Sequence, residues 1–174
     1  MVPKQGSRAI DAVVVARVVT GGQSGADRAA TDVAISLGIP YGGWVPLGGW
    51  AEDLPDPPGL LARYPAFEES ASDDPAERTM RNVRSAAATL VLTASGATSP
   101  GTGLTLRAAE ALGVPFVEVD LASLDRGSRL ASLVARLPSA CTLNVAGPRE
   151  SERPGIYRAA RAFLLRHRSQ LFDR

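Results

Sequence analysis

An apolar run, Val18-Val19-Thr20, ends in Gly21-Gly22-Gln23-Ser24-Gly25, and a helical pattern opens at Ala26 with no linker between them. No other stretch constrains the fold as strongly. Glycines let backbone N–H groups approach a ligand, and the free N–H groups of a helix start attract negative charge. Upstream, the β-branched run from Ala12 to Thr20 suits a strand covered on both faces, with Arg17 as its one interruption. Downstream, Ala29, Ala30, Val33, Ala34 and Leu37 recur at helical spacing, and Gly38 and Pro40 close the helix.

The same alternation continues along the chain. Tyr41 to Pro46 reads as a strand entering a long Pro- and Gly-rich loop that lasts to about Pro65. Ser72, Asp73 and Asp74 ahead of Pro75 mark a helix start, with the helix running to about Ala87. Thr89 to Ala94 is the clearest strand, followed by a small-residue loop to Gly103 and a helix from Leu104 to Leu112. A strand at Phe116–Asp120, a helix from Ala122 to Leu137, a strand at Cys141–Val145 and a helix from Gly155 to Phe172 complete the pattern. The arginines of that last helix read as a solvated face. The expected fold is α/β: a Rossmann-like three-layer α/β/α arrangement with a mainly parallel sheet of five strands or slightly more. The first and third strands are expected side by side at its centre. Residues 1–12 read as a flexible arm and 13–174 as a single domain.

With 19 basic and 18 acidic residues, the net charge of +1 gives no field favouring nucleic acid or a membrane surface. The single cysteine, Cys141, rules out an internal disulfide and suits a reducing, cytoplasmic setting. One histidine and one cysteine do not make a zinc-type site. No run approaches the roughly 18 apolar residues of a membrane span, and the polar Met1–Arg8 stretch is no signal peptide.

In a parallel sheet, every loop that leaves a strand lies at the same edge, where ligands bind. Four such loops are unusual. The first offers Gly21, Gly22 and Gly25 for close approach, with Gln23, Ser24 and Asp27 as polar contacts. The second carries Trp44, Trp50, Glu52 and Asp53, suited to stacking on a flat ring and accepting its N–H groups. The third presents Gly101, Thr102, Gly103 and Thr105 at a helix start, a second candidate phosphate cradle. The fourth holds Asn144 and Arg149, the latter a natural anion clamp. A Walker loop is excluded because no Gly-Lys-Ser/Thr follows the glycines. A dinucleotide fingerprint is disfavoured because the spacing is not GxGxxG and no acid closes the next strand.

Several blocks together carry a family resemblance. They are Gly-Gly-Gln-Ser-Gly-Ala-Asp-Arg-Ala-Ala (21–30), Gly-Gly-Trp-Val-Pro (42–46), Ala-Glu-Asp (51–53), Glu-Arg-Thr (77–79) with Asn82-Val83, Gly-Thr-Gly-Leu-Thr (101–105), Asn-Val-Ala-Gly-Pro-Arg-Glu-Ser (144–151) and Pro-Gly-Ile-Tyr (154–157). In this order they resemble the "putative molybdenum carrier" family, Rossmann-like proteins related to the LOG, or lysine decarboxylase-like, superfamily. The resemblance implies a homo-oligomer, a tetramer, that binds the molybdenum cofactor (molybdopterin, a pterin dithiolene with a terminal phosphate) and stores or protects it without catalysis. One departure stands out. The family often has a basic run after Gly-Trp-x-Pro, whereas Pro46-Leu47-Gly48-Gly49-Trp50 carries no charge.

Two other functions fit the same loops. LOG enzymes release the base from nucleoside 5′-monophosphates, using a glutamate soon after their glycine motif. Here the first acid after Gly101–Thr105 is Glu110, two helical turns in. A module that senses a nucleotide-derived ligand would share the phosphate loops and differ in the ring pocket.

Overall fold

The computed structural model describes residues 15–72, 74–95 and 99–173. The expected arm, residues 1–12, lies outside them. Six strands form one sheet: β1 Val15–Val19, β2 Tyr41–Val45, β3 Phe67–Glu69, β4 Ala88–Thr93, β5 Phe116–Asp120 and β6 Cys141–Ala146. Their order is β3-β2-β1-β6-β4-β5, and every pairing is parallel. The helices are α1 Ala26–Ser36, α2 Leu60–Arg63, α3 Pro75–Arg84, α4 Pro100–Leu112, α5 Arg126–Val134, α6 Ile156–Arg166 and α7 Arg168–Leu171. Helices cover both faces of the sheet, which makes three layers.

The neighbours at the centre differ from the sequence expectation. The β1 strand and the Thr89–Ala94 strand, now β4, are not adjacent. Strand β6 lies between them, pairing Val19 with Asn144 on one side and Leu90 with Val145 on the other. Crossover rules limit the hand of each connection but do not say which of several apolar strands fills the middle. Strand β4 is buried at all six positions, which explains its unbroken apolar run. Arg17 is absorbed by a register shift in β1, so the strand persists through it.

Other differences are local. Strand β3 and helix α2 fall around and within the stretch expected to be irregular; with three and four residues they are too short to show a period. Helix α4 starts at Pro100, a turn earlier than expected, because Ser99 caps it. Helix α5 starts at Arg126, later than expected, because side chains hold the preceding turn: Ala122 N–H donates to Asp120 Oδ1 (2.9 Å) and Asp125 N–H to Ser123 Oγ (3.4 Å). The last helix breaks at His167 into α6 and α7.

The main core joins the sheet to α1, α5, α6 and α7 through residues such as Val33, Leu90, Leu143 and Leu164. The alanines of α1 (Ala26, Ala29, Ala30, Ala34) are fully enclosed and keep that helix close to the sheet. On the opposite face, Val83 of α3 packs with Ala108 and Ala109 of α4. Among the described residues, no helix is long and apolar enough to cross a membrane.

Candidate functional site

The loop after β1 is built from its own polar groups. Gly22 N–H donates to Thr20 Oγ1 (3.0 Å), and Gln23 N–H donates back to Asp27 Oδ2 (3.4 Å). No side chain caps α1; its first N–H, on Ala26, donates to the carbonyl of Pro148 (3.2 Å). Gly25 has φ 79°, and a Cβ there would overlap the Pro148 oxygen, so only glycine lets the loop after β6 seat on this helix start. Ser24 is thereby freed from capping. Its hydroxyl donates to Glu52 and accepts the N–H of Glu150 (3.1 Å). Glu52 also takes the Ser151 hydroxyl and the Ser151 N–H (3.2 Å). Burial alone raises the Glu52 pKa, but these donors outweigh it and hold the carboxyl below its usual value.

The loop after β4 enters α4 through Ser99. Its Oγ accepts the Thr102 N–H (3.3 Å) and pairs with the Thr102 hydroxyl (2.9 Å). Thr105 Oγ1 donates to the Gly101 carbonyl (3.2 Å). Gly101, Thr102 and Gly103 are therefore the first helical turn, not a loose loop.

The four loops converge, but they enclose two spaces separated by the loop after β6. One is a cleft of about 260 Å³ at the ends of β1, β4 and β6. It is lined by Gly21, Gln23 and Asp27, by α3 and the start of α4, and by Asn144, Gly147 and Arg149 with Glu152. The other is an open cavity of about 990 Å³. Ser24, Gly25, Glu52 and Asp53 face it, together with Arg28, Asp32, Tyr64 and Tyr157. Arg28 is clamped there, donating to both oxygens of Asp53 (2.8 and 3.1 Å) and to the Gly22 carbonyl (3.2 Å). Asp32 accepts both tyrosine hydroxyls, each at 2.8 Å.

Among the described residues three buried side-chain polar atoms lack a partner: Gln23 Oε1 and Arg78 Nε belong to residues of the cleft, and Arg28 Nε to a residue of the open cavity. Arg78 of α3 reaches the Gly21 carbonyl (3.4 Å), and its Nε has no partner. Burial lowers its pKa, Asp27 opposes that, and Arg149 adds to it. Asp27, 7 % exposed, has its pKa raised from 3.8 to about 6 by burial, against the pull of Arg78. The Arg149 guanidinium lies 5.3 Å from the centre of the Trp50 ring; its backbone N–H donates to Glu152 (2.9 Å). Gln23, 4 % exposed, donates through Nε2 to the Trp50 carbonyl (3.0 Å), and its Oε1 is unpaired.

Of the residues singled out in the sequence, the cleft gathers Gly21, Gln23, Asp27, Gly101, Thr105, Asn144 and Arg149. Ser24, Gly25, Glu52 and Asp53 face the other cavity. Gly22, Thr102 and Gly103 line neither. Trp50 sits at the rim under Arg149. Trp44 lies apart: its ring is covered by Arg81 at 4.5 Å, and its backbone is bracketed by Asn82 (2.7 and 3.0 Å). Sequence reasoning missed Arg78, Thr79 and Asn82 as cleft residues. Their signal was the Glu77-Arg78-Thr79 and Asn82-Val83 blocks, which lie on a helix face rather than in a loop. Among the described residues, no group of three or more His, Cys, Asp or Glu is placed to hold a metal ion.

A parallel sheet with glycine-rich helix starts converging on a cleft at its strand ends defines a Rossmann-like α/β/α fold. Residues 18–167 match the family described as circularly permutated YpsA SLOG, and the chain belongs to that family. It is also similar to a crystal structure of a "putative molybdenum carrier protein" from Syntrophus aciditrophicus SB. The identity is 35 % and the TM-score 0.73, over 87 % of this chain and 93 % of that one. No curated protein matches it.

Proposed function

We propose that this chain binds a phosphate-bearing pterin of the molybdenum-cofactor class in the 260 Å³ cleft and holds it without transforming it. The observation that carries this reading is the presence of Arg78, whose buried Nε has no partner among the described residues, and Arg149 in one cleft with the first turn of α4. Two guanidinium groups and a helix start suit a phosphate. The cleft is near the small end of ligand sites, which run from about 300 Å³ upward. It therefore suits the phosphate and one edge of the ring, with the rest of the cofactor at the mouth near Trp50. The molybdenum is cargo, carried by the ligand's own dithiolene sulfurs, and the grip is on phosphate and ring. Similarity to the Syntrophus protein supports the same ligand class. A homo-oligomer, a tetramer, is part of the proposal.

The test is anaerobic loading. Purified protein mixed with molybdenum cofactor should retain it through gel filtration and slow its oxidation, and Arg78→Ala should lose at least tenfold in retention, as expected for a charge-assisted contact. Equal loss of cofactor with and without the protein would refute the carrier reading. The same filtration reports the oligomer.

A further inference from the structure

The amide of Gln23 has only one possible orientation. Its Nε2 donates to the Trp50 carbonyl at 3.0 Å. Turning the amide over would set two oxygens against each other, so the NH₂ group must face Trp50 and Oε1 must face the other way. That oxygen is buried, without a donor, on a side chain 4 % exposed that lines the cleft. Its neighbour on the same wall, Asp27, is committed elsewhere: its carboxyl takes the Gln23 N–H and faces Arg78. A buried carbonyl oxygen left unpaired is costly, and native proteins seldom keep one without a use. The same cleft brings in the Arg78 and Arg149 guanidinium donors and the first turn of α4, beside the Glu152 carboxylate that takes the Arg149 N–H. The cleft thus holds, together with these guanidinium donors, the one buried side-chain acceptor without a partner among the described residues.

We infer that Gln23 is the specificity-determining residue of this cleft, accepting an N–H from the ring of a ligand whose anionic group is held by Arg78 and Arg149. The class selected is a phosphate ester bearing a lactam or amino heterocycle, such as the 2-amino-4-oxo edge common to guanine and pterins. Phosphate esters without a ring N–H are left with the acceptor unpaired. Trp50 is a positioning residue, acting only through the carbonyl that pins the amide. This assignment rests on the proposed placement of the ligand in the cleft.

The experiment uses guanosine 5′-monophosphate and ribose 5-phosphate as probes, titrated into wild type, Gln23→Leu and Arg78→Ala by calorimetry. Wild type should prefer the guanine probe by about tenfold, the worth of one hydrogen bond to a buried acceptor. In Gln23→Leu the preference should vanish while ribose 5-phosphate binds as before, which also shows that the variant is folded. N1-methylation of the guanine probe should weaken wild type and leave Gln23→Leu unchanged. Arg78→Ala should weaken both probes alike. If both probes bind equally to wild type and depend on Arg78, the assignment of Gln23 falls and the cleft stands. If neither binds, or neither depends on Arg78, the placement of the ligand falls and this assignment with it.

Discussion

Asp27 carries its carboxyl into the protein beside Arg78, and burial raises its pKa from 3.8 to about 6. In the unfolded chain the group ionises first, so between these two values the folded state binds the proton more tightly. Stability attributable to Asp27 is therefore fully present below about pH 4, falls as the pH rises to about 6, and is level above that. A shift of this size is worth about 3 kcal/mol, an upper figure because Arg78 responds to the same proton. Urea midpoints taken from pH 4 to pH 7 should show a decline in wild type that Asp27→Asn removes. A parallel slope in both proteins would contradict this account. Glu52 works in the opposite sense. Its folded pKa is depressed by the Ser151 and Ser24 donors despite burial, so its contribution holds above the unfolded value of 4.5 and is lost as the pH falls through the folded one. At Gly25, alanine would meet both a positive φ of 79° and the Pro148 carbonyl. Gly25→Ala should cost about 2 kcal/mol or more in thermal or urea unfolding, whereas the open Gly101 should accept alanine with little change in stability.

The elements differ in how their ends are held, and this separates two serines. Ser99 caps α4, so Ser99→Ala should lose about 1 kcal/mol, measurable as a lower urea midpoint. Ser24 caps nothing; it links Glu52 to Glu150 across three loops. Ser24→Ala should leave the helix content by circular dichroism intact while speeding hydrogen exchange at the Glu150 and Ser151 amides. The same contrast explains how much could be read from the sequence. Strand β4 and helix α1 were legible because burial on two faces writes an unbroken apolar run and burial of one stripe writes a helical period. The glycine turn after β1 was legible because only glycine tolerates what Gly25 must do. Strand β3 and helix α2 were not, since a Phe-Glu-Glu triplet and a single turn carry no period. Arg78 escaped because a cleft residue on a helix face looks like any solvated arginine until the opposite wall is known. The division of four loops into two spaces was also unreadable, because it depends on Pro148 docking against Ala26, more than a hundred residues away in the chain.

At the scale of the molecule, the sheet has a simple order once its chain break is set aside. If β6 were counted as the first strand, β3-β2-β1-β6-β4-β5 would become 4-3-2-1-5-6, a doubly wound sheet that spreads from one central strand. The sequence reading set the first and third strands side by side, whereas the strand that lies between β1 and β4 is the sixth in chain order. The cleft lies at this central strand: Asn144 and Arg149 belong to β6 and the loop after it, while Gln23 and Gly101 belong to the two strands' loops on either side.

The placement of β6 also has a consequence in time. A ribosome delivers this chain from its N-terminal end, so β1 and β4 emerge with their inner edges bare and wait for a partner that comes last of the six. Edges of that kind are open to pairing with other chains. A chain arrested at residue 140 should be sensitive to protease and prone to aggregate, while release of the last strand with α6 should bring protection of β1, β4 and β6 together in pulse-labelling exchange. Early, separate protection of β1 before β6 is made would contradict this. Assembly of the sheet is thus deferred until β6 has been made, and the cleft, which needs all three strands, comes into existence with it.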